Sequence, residues 1–110
     1  MANKKYKNQP GYLYIVTNTA FPSWCKIGIT TNLKERLHLY QTCDPHRGYK
    51  LVYSLYHPLY KEAEKKIKEA IKPFAKNIRN EWCEMDLSMC RSRLQESLES
   101  YENGEWLKIS

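Results

Sequence analysis

The chain has 110 residues, of which 42% are hydrophobic, 13% aromatic and 27% charged. This length accommodates one compact domain, and the aromatic content excludes a chain that is disordered throughout. The apolar runs are far shorter than the roughly 20 residues that a membrane helix needs, and the polar N-terminus does not resemble a secretory signal. We therefore predict a cytoplasmic protein that makes no contact with a membrane. The four cysteines have irregular spacings, which predict reduced thiols.

Positive charge is concentrated in the first 80 residues. They hold 15 of the 18 Lys and Arg but only 5 of the 12 Asp and Glu, a balance of +10, whereas residues 81–110 have a balance of −4. A basic body is typical of proteins that contact a phosphate backbone, although many basic surfaces are only solvated. The charge distribution therefore favours a nucleic-acid partner.

Three stretches of β-branched and aromatic residues predict strands, over residues 12–17, 24–30 and 49–56. The first two predict a hairpin, because the segment between them contains turn residues. A fourth, shorter strand is expected over residues 81–85. Ahead of the first strand, residues 1–10 form a basic arm that we expect to be flexible.

Three other segments show helical periodicity. Asn32 offers an N-cap for a helix of about ten residues. A longer helix follows His57-Pro58, and Pro73 is expected to kink or end it. Its apolar face is expected at Ala63, Ile67, Ala70, Ile71 and Phe74. Asp86 caps a last helix that ends at Asn103-Gly104. Its buried stripe is expected at Leu87, Cys90, Leu94, Leu98 and Tyr101.

The predicted order of elements is therefore β-β-α-β-α-β-α. It favours an α+β fold, in which three helices flank a small antiparallel or mixed sheet, over a parallel doubly wound sheet. We divide the chain into the arm over residues 1–10, a core over residues 11–85, and a C-terminal helix with its tail over residues 86–110.

An ordered set of motifs resembles the GIY-YIG nuclease superfamily. The set consists of YLY at 12–14, KIG at 26–28, Arg36, Tyr40 and Glu64. The resemblance covers roughly residues 11–85. It is closest to small phage and bacterial members that have KIG as the second motif and a Glu-Trp pair on the final strand.

The resemblance implies hydrolysis of DNA phosphodiesters with one divalent metal ion, magnesium or alternatively manganese. It implies that Tyr14 activates or positions the attacking water, that Arg36 stabilises the phosphate, and that Glu64 binds the metal. Tyr40 occupies a position that holds Tyr or His in different branches. Glu81 and Tyr12 are second-tier candidates.

The chain departs from the superfamily pattern at two positions. Lys26 stands where the second motif usually has a tyrosine, and Lys68 stands where a histidine usually follows the glutamate. The pKa of a free tyrosine, about 10, is too high for a base near neutrality unless a cation favours the phenolate. We expect Lys26, on the neighbouring strand, to be the cation that acts on Tyr14.

Each candidate also has a simpler structural interpretation. Arg36 is a surface residue and Tyr40 a core aromatic in that view, and Glu64 forms a surface ion pair with Lys68. Trp82 is expected in the core rather than as a platform for base stacking. The basic residues after residue 60 either solvate the surface or form one helical ridge that contacts phosphates, at Lys61, Lys65, Lys66, Lys68, Lys72, Lys76 and Arg79.

We predict a divalent-metal-dependent DNA endonuclease with low intrinsic sequence specificity, because no separate DNA-reading domain fits into the chain. The predicted catalytic residues are Tyr14 as the base, with a pKa lowered by a cation, Lys26 and Arg36 as electrostatic stabilisers, Glu64 as the metal ligand, and Tyr40. Lys65, Lys68 and Lys72 are the predicted DNA contacts. One alternative is a catalytically silent nucleic-acid-binding module. Another is an interaction protein whose acidic last helix docks on a partner or on a second copy, through Glu96, Glu99 and Glu102.

Overall fold

A computed structural model of the chain describes residues 10–99, 101–102 and 105–106. Its main sheet has five strands, in the order β3-β1-β2-β5-β4, and each neighbouring pair is antiparallel. The strands are β1 (Gly11–Asn18), β2 (Trp24–Thr30), β3 (Tyr49–His57), β4 (Asn77–Arg79) and β5 (Trp82–Glu84). The α-helices are α1 (Leu33–Thr42), α2 (Tyr60–Ile71) and α3 (Leu87–Glu99). The predicted α+β fold is confirmed.

The alternation of side chains along β1 divides the molecule into three layers. Leu13 and Ile15 face a core that α2 and α3 cover, with Ile67 of α2 fully buried against them. Tyr14 and Val16 point to the opposite face of the sheet, where α1 lies. The sheet therefore separates α1 from the other two helices.

Local capping determines where α1 and α3 begin. The side chain of Asn32 accepts a hydrogen bond from the backbone N–H of Glu35 at 3.0 Å, which confirms the predicted N-cap. The carboxylate of Asp86 accepts a hydrogen bond from the N–H of Met89 at 3.2 Å in the same way. Both caps satisfy N–H groups that have no partner inside the helix.

The prediction that Pro73 kinks or ends α2 is confirmed, but the residues that follow it lie elsewhere than the sequence predicts. The helix stops at Ile71, and a 3₁₀ turn containing Pro73 follows it. Phe74 is 44% exposed rather than buried, because this turn carries it away from the apolar face. Lys76 and Arg79 lie beyond the helix, so the predicted basic ridge does not continue past Lys72 as one helical face.

The sheet has one strand more than the sequence predicts. The short strand expected at 81–85 is present as β5, and β4 pairs with it through a turn in which Asn80 has a φ of 55°. Asparagine tolerates this left-handed conformation better than most residues. The three residues of β4 are too few to show a period of two, and their pairing with β5 comes from tertiary structure.

The C-terminal prediction is partly wrong. Tyr101–Glu102 forms a strand, β6, that pairs with β7 (Glu105–Trp106), so Glu102 does not lie on α3. The predicted stop at Asn103-Gly104 and most of the arm over residues 1–10 lie outside the described residues, as do the side chains of Leu98, Glu99 and Tyr101. Among the described residues, no helix is long and apolar enough to cross a membrane.

Candidate functional site

Two tyrosines and an arginine form a hydrogen-bonded group on the α1 face of the sheet. The hydroxyl groups of Tyr14 and Tyr40 are 2.7 Å apart, and Arg36 Nη1 donates to the Tyr14 hydroxyl at 3.3 Å. Tyr14 is 1% exposed, whereas Arg36 and Tyr40 are half-buried. The group therefore has one buried member and two that solvent reaches, and three of the five predicted catalytic residues belong to it.

The helical period of α1 explains why these side chains meet. Arg36 and Tyr40 are four residues apart, so they lie on the same side of the helix as Leu33 and Leu37. That side rests on the sheet over Tyr14. The simpler interpretation of Arg36 as a solvated surface residue does not agree with this contact.

Gly28 of the KIG motif provides the space for Tyr14. The two residues are directly paired across β1 and β2, and a Cβ on Gly28 would overlap the Tyr14 ring and hydroxyl. Glycine is therefore required here because the tyrosine side chain lies across the neighbouring strand, and not because of backbone conformation.

Gly28→Ala is expected to destabilise the protein and to displace Tyr14. Overpacking of a buried site costs about 1–3 kcal/mol, so the melting temperature should fall by several degrees. Thermal unfolding followed by circular dichroism measures this fall. Because the hydroxyl is one of the overlapping atoms, adding Tyr14→Phe should recover part of the loss. An unchanged melting temperature would show that the close approach is absent.

Lys26 lies on the same face but not where the sequence predicts. Its ammonium is 4.9 Å from the centre of the Tyr40 ring and 5.7 Å from the centre of the Trp82 ring. The cation that contacts the Tyr14 hydroxyl is Arg36. Lys26 therefore adds positive charge beside the cluster, and the expectation that it acts directly on Tyr14 is wrong.

The ionisation of Tyr14 also differs from the prediction. Burial raises the pKa of Tyr14 well above its usual value, its hydrogen bond with the Tyr40 hydroxyl raises it further, and the Arg36 cation offsets these effects only in part. The expected lowering of this pKa is wrong. The hydroxyl is therefore protonated near neutral pH.

Glu64 belongs to a second group of charged side chains. Lys68 Nζ is 3.2 Å from Glu64 Oε2 and 3.7 Å from Glu81 Oε2. Glu64 Oε2 is inaccessible to solvent. The Lys68 ammonium forms an ion pair with it, but the geometry is not that of a hydrogen bond. The structure therefore agrees with the simpler interpretation, in which Glu64 forms an ion pair with Lys68. Glu81 is a second carboxylate beside the same ammonium.

α2, which carries Glu64 and Lys68, packs against the sheet face opposite Tyr14. One prediction about this second group needs correction. Lys68 does not extend as a phosphate contact, because its ammonium lies between two carboxylates. Lys65 and Lys72 are exposed on α2 and on the 3₁₀ turn after it, as a phosphate-contacting role requires.

The two groups approach the same short segment of β2. The Tyr14 hydroxyl lies over Gly28, and the carbonyl of Glu81 accepts a hydrogen bond from the N–H of Ile27 at 3.1 Å. β5 pairs with β2 only from Trp24 to Lys26, so this part of β2 lies beyond the β5 ladder. The Tyr14 hydroxyl and the backbone of Glu81 therefore lie beside neighbouring residues of β2.

The carboxylates of Glu64 and Glu81 are the candidate ligands for a divalent cation. The described residues contain no group of three or more His, Cys, Asp or Glu that would enclose a metal ion. Magnesium does not need such a cage, because it keeps several waters and binds one or two carboxylates together with substrate phosphate. Glu64 has a buried oxygen without a hydrogen bond, and Glu81 lies on the other side of Lys68. The donor set fits a hydrated magnesium or manganese ion.

Several aromatic residues extend the tyrosine group, and most of them were not predicted. Tyr49 stacks on Tyr40 with ring centres 5.0 Å apart, and Trp82 lies 6.3 Å from Tyr49. Trp82 is half-buried and borders a cleft, so its predicted place in the core is wrong. The register of β3 places Tyr49 on this face of the sheet, and no local sequence pattern predicts that placement. Tyr12 lies further along β1, where its ring contacts Tyr56 at 5.3 Å.

Fold and site together define a small α+β protein with a buried tyrosine–arginine group beside a carboxylate group. The family model of the T5orf172 domain matches residues 11–109, and the chain therefore belongs to the T5orf172 domain family. No curated protein and no solved structure matches the chain.

Proposed function

We propose that the protein is a divalent-metal-dependent endonuclease that hydrolyses DNA phosphodiester bonds, as a branch of the GIY-YIG superfamily. The observation that carries the proposal is the buried Tyr14 hydroxyl, which contacts both Tyr40 and Arg36. Membership of the T5orf172 domain family supports a nuclease-type or DNA-binding role. The basic balance of residues 1–80 agrees with a polyanionic substrate.

Arg36 is the residue best placed to bind the scissile phosphate. Its Nη1 is engaged by Tyr14, and a guanidinium has further N–H donors that suit the oxygens of a phosphate. The Tyr14 contact fixes the orientation of this guanidinium. Lys26 adds a second positive charge on the same face, where it stabilises charge that develops on the phosphoryl oxygens.

Tyr14 acts as a positioning group in this proposal. Because its pKa is raised, its hydroxyl keeps its proton and serves as a hydrogen-bonding group. It orients Arg36 and Tyr40, and it can hold a water or a phosphate oxygen beside them. This assigns to Tyr14 the positioning role that the family resemblance allows, rather than the role of a base.

Glu64, with Glu81 beside it, would hold the metal ion. When bound, a divalent ion polarises a phosphoryl oxygen and lowers the pKa of a coordinated water. The chain would contribute the carboxylates, and the Lys68 ammonium would have to leave Glu64 for the ion to bind there. Low intrinsic sequence specificity is part of this proposal.

The proposal is tested by nicking of supercoiled plasmid. We expect open-circular product in magnesium and in manganese and none in EDTA. Purified full-length protein should also nick several unrelated plasmids without a shared cutting site. Cleavage at one unique site would contradict the low specificity, and no nicking in either metal would contradict the enzyme.

One observation favours a second candidate, a silent nucleic-acid-binding module. The ammonium of Lys68 lies 3.2 Å from the carboxylate that would bind the metal, so it neutralises that carboxylate as a metal ion would. In that case the plasmid is retarded in a gel, the retardation weakens as salt rises, and no nicking occurs in any metal. The other alternative, docking of α3 on a partner or on a second copy, has no supporting observation among the described residues.

Lys68→Met is expected to strengthen metal binding. The substitution keeps most of the apolar stem and removes a positive charge that competes for Glu64. Charges about 4 Å apart interact by several kcal/mol near a protein surface, but this pair is partly solvated, so we expect about a tenfold lower Kd for Mn²⁺. Calorimetric titration measures it without DNA. Lys65→Met, on the exposed side of the same helix, is the matched control, and equal affinities in both variants would contradict the competition.

A further inference from the structure

An aromatic cleft opens at the end of the sheet formed by β2, β4 and β5. It has a volume of about 210 Å³, and its lining residues are Phe21, Trp24, Arg79 and Trp82. Phe21 is 43% exposed, and its ring meets the ring of Trp82 edge to face at 5.4 Å. Apart from Arg79, the walls are aromatic.

Strand register places the cleft on the same sheet face as the tyrosine group. Trp82 is directly paired with both Lys26 and Arg79, so these three side chains share one face. Lys26 is paired in turn with Val16 on β1, two residues from Tyr14. The cleft and the candidate phosphate site are therefore parts of one continuous surface.

A series of ring contacts connects the two places. From Trp82 the next ring is Tyr49 at 6.3 Å, and Tyr40 stacks on Tyr49 at 5.0 Å. Lys26 lies over both Tyr40 and Trp82, midway along this series. A positive charge therefore lies among the rings that connect the two places, and proteins that bind single strands combine backbone charge with aromatic rings in this way.

We infer that the cleft binds an unpaired nucleobase of a DNA strand whose phosphates lie on Lys26 and Arg36. A base stacks on the exposed ring of Phe21, the nearly perpendicular ring of Trp82 meets the edge of the base, and Arg79 at the rim contacts the base or the adjacent phosphate. A base inside a duplex has both faces covered by its neighbours and cannot enter such a cleft. The protein should therefore prefer single-stranded or locally unpaired DNA.

The positive charge around the cleft favours a nucleobase of a DNA strand over an apolar peptide as its ligand. Arg79 and Lys26 flank the rings, and residues 1–80 carry a balance of +10. Exposed aromatic surface beside cations is typical of proteins that bind single strands, where stacking and backbone charge act together. The inference rests on the proposed function in one respect, because it specifies the form of a DNA substrate.

Binding is measured by fluorescence anisotropy in EDTA, so that no cleavage occurs. The probe is a labelled oligothymidylate of about 12 nucleotides, and a duplex of equal length is compared with it. We expect the single strand to bind more tightly than the duplex. Because base–aromatic stacking contributes about 1–3 kcal/mol, Phe21→Ala should weaken single-strand binding about tenfold and leave duplex binding nearly unchanged.

Phe74→Ala is the matched control, because Phe74 is 44% exposed and packs on Arg93 at 4.4 Å outside the cleft. Equal effects of the two variants, or equal affinity for duplex and single strand, would overturn the inference, as would no binding at all. The outcome is separable from that of the nicking assay. Phe21-dependent binding without nicking would contradict the proposed endonuclease activity and support the base-binding cleft. Nicking without an effect of Phe21→Ala on binding would contradict only the cleft.

Discussion

Glu64→Gln is expected to reduce metal-dependent plasmid nicking by about 10³-fold or more. The amide keeps the volume of the side chain and removes the charge that would bind the metal. Loss of metal stabilisation at the transition state is worth several kcal/mol, and about 4 kcal/mol corresponds to this factor. Rates of open-circle formation at saturating magnesium measure the effect.

The variant should fold, because Glu64 is not part of the apolar face of α2, which consists of Ala63, Ile67 and Ile71. Affinity for DNA in EDTA should stay within about twofold, since removal of an acidic group does not weaken binding to a polyanion. Glu69→Gln is the control, because Glu69 is exposed on the same helix. If the Glu64 variant nicks as fast as the wild type, Glu64 is not the metal ligand.

Tyr14→Phe is expected to reduce nicking by about 10²–10³-fold with little loss of stability. The ring still fills its buried position, and only the hydroxyl that contacts Tyr40 and Arg36 is removed. Arg36 then loses its fixed orientation toward the phosphate. Misplacement of one stabilising donor costs about this factor in other enzymes. Tyr56→Phe, at a residue 57% exposed on the neighbouring strand, should leave the rate unchanged.

The pH dependence of this variant separates a positioning role for Tyr14 from a role as base. Burial and Tyr40 raise the pKa of Tyr14, so its hydroxyl stays protonated below about pH 9. The ratio of wild-type to Tyr14→Phe rates should therefore be constant between about pH 7 and 9. If the phenolate were the reacting species, the ratio would rise about tenfold with each pH unit over that range.

Local patterns predicted most of the secondary structure. β1, β2, β3 and α1 follow from β-branched runs, helical spacing and the Asn32 cap, all of which depend on neighbours in sequence. β4 did not follow, because its three residues become a strand only through pairing with β5. Phe74 was placed wrongly for a related reason, since the turn at Pro73 changes its direction after the helical pattern ends.

The candidate site was likewise predicted only in part. Motif spacing identified Tyr14, Arg36 and Tyr40, and the structure brings these three together. Which cation meets the Tyr14 hydroxyl depends on helix placement over the sheet, so the expected contact with Lys26 was wrong. The position of Trp82 depends on how its ring packs with Phe21 and Tyr49, which a strand pattern does not express.

The sequence alone therefore determined the class of fold, the order of its main elements and the residues of the tyrosine–arginine group. These are matters of residue type and spacing, which act through local backbone preference and the hydrophobic effect. Only the tertiary structure decided the raised pKa of Tyr14, the position of Lys68 between two carboxylates and the open aromatic cleft. Desolvation, ion pairing and exposure are set by atoms from distant parts of the chain, and those distances exist only after the strands and helices have packed.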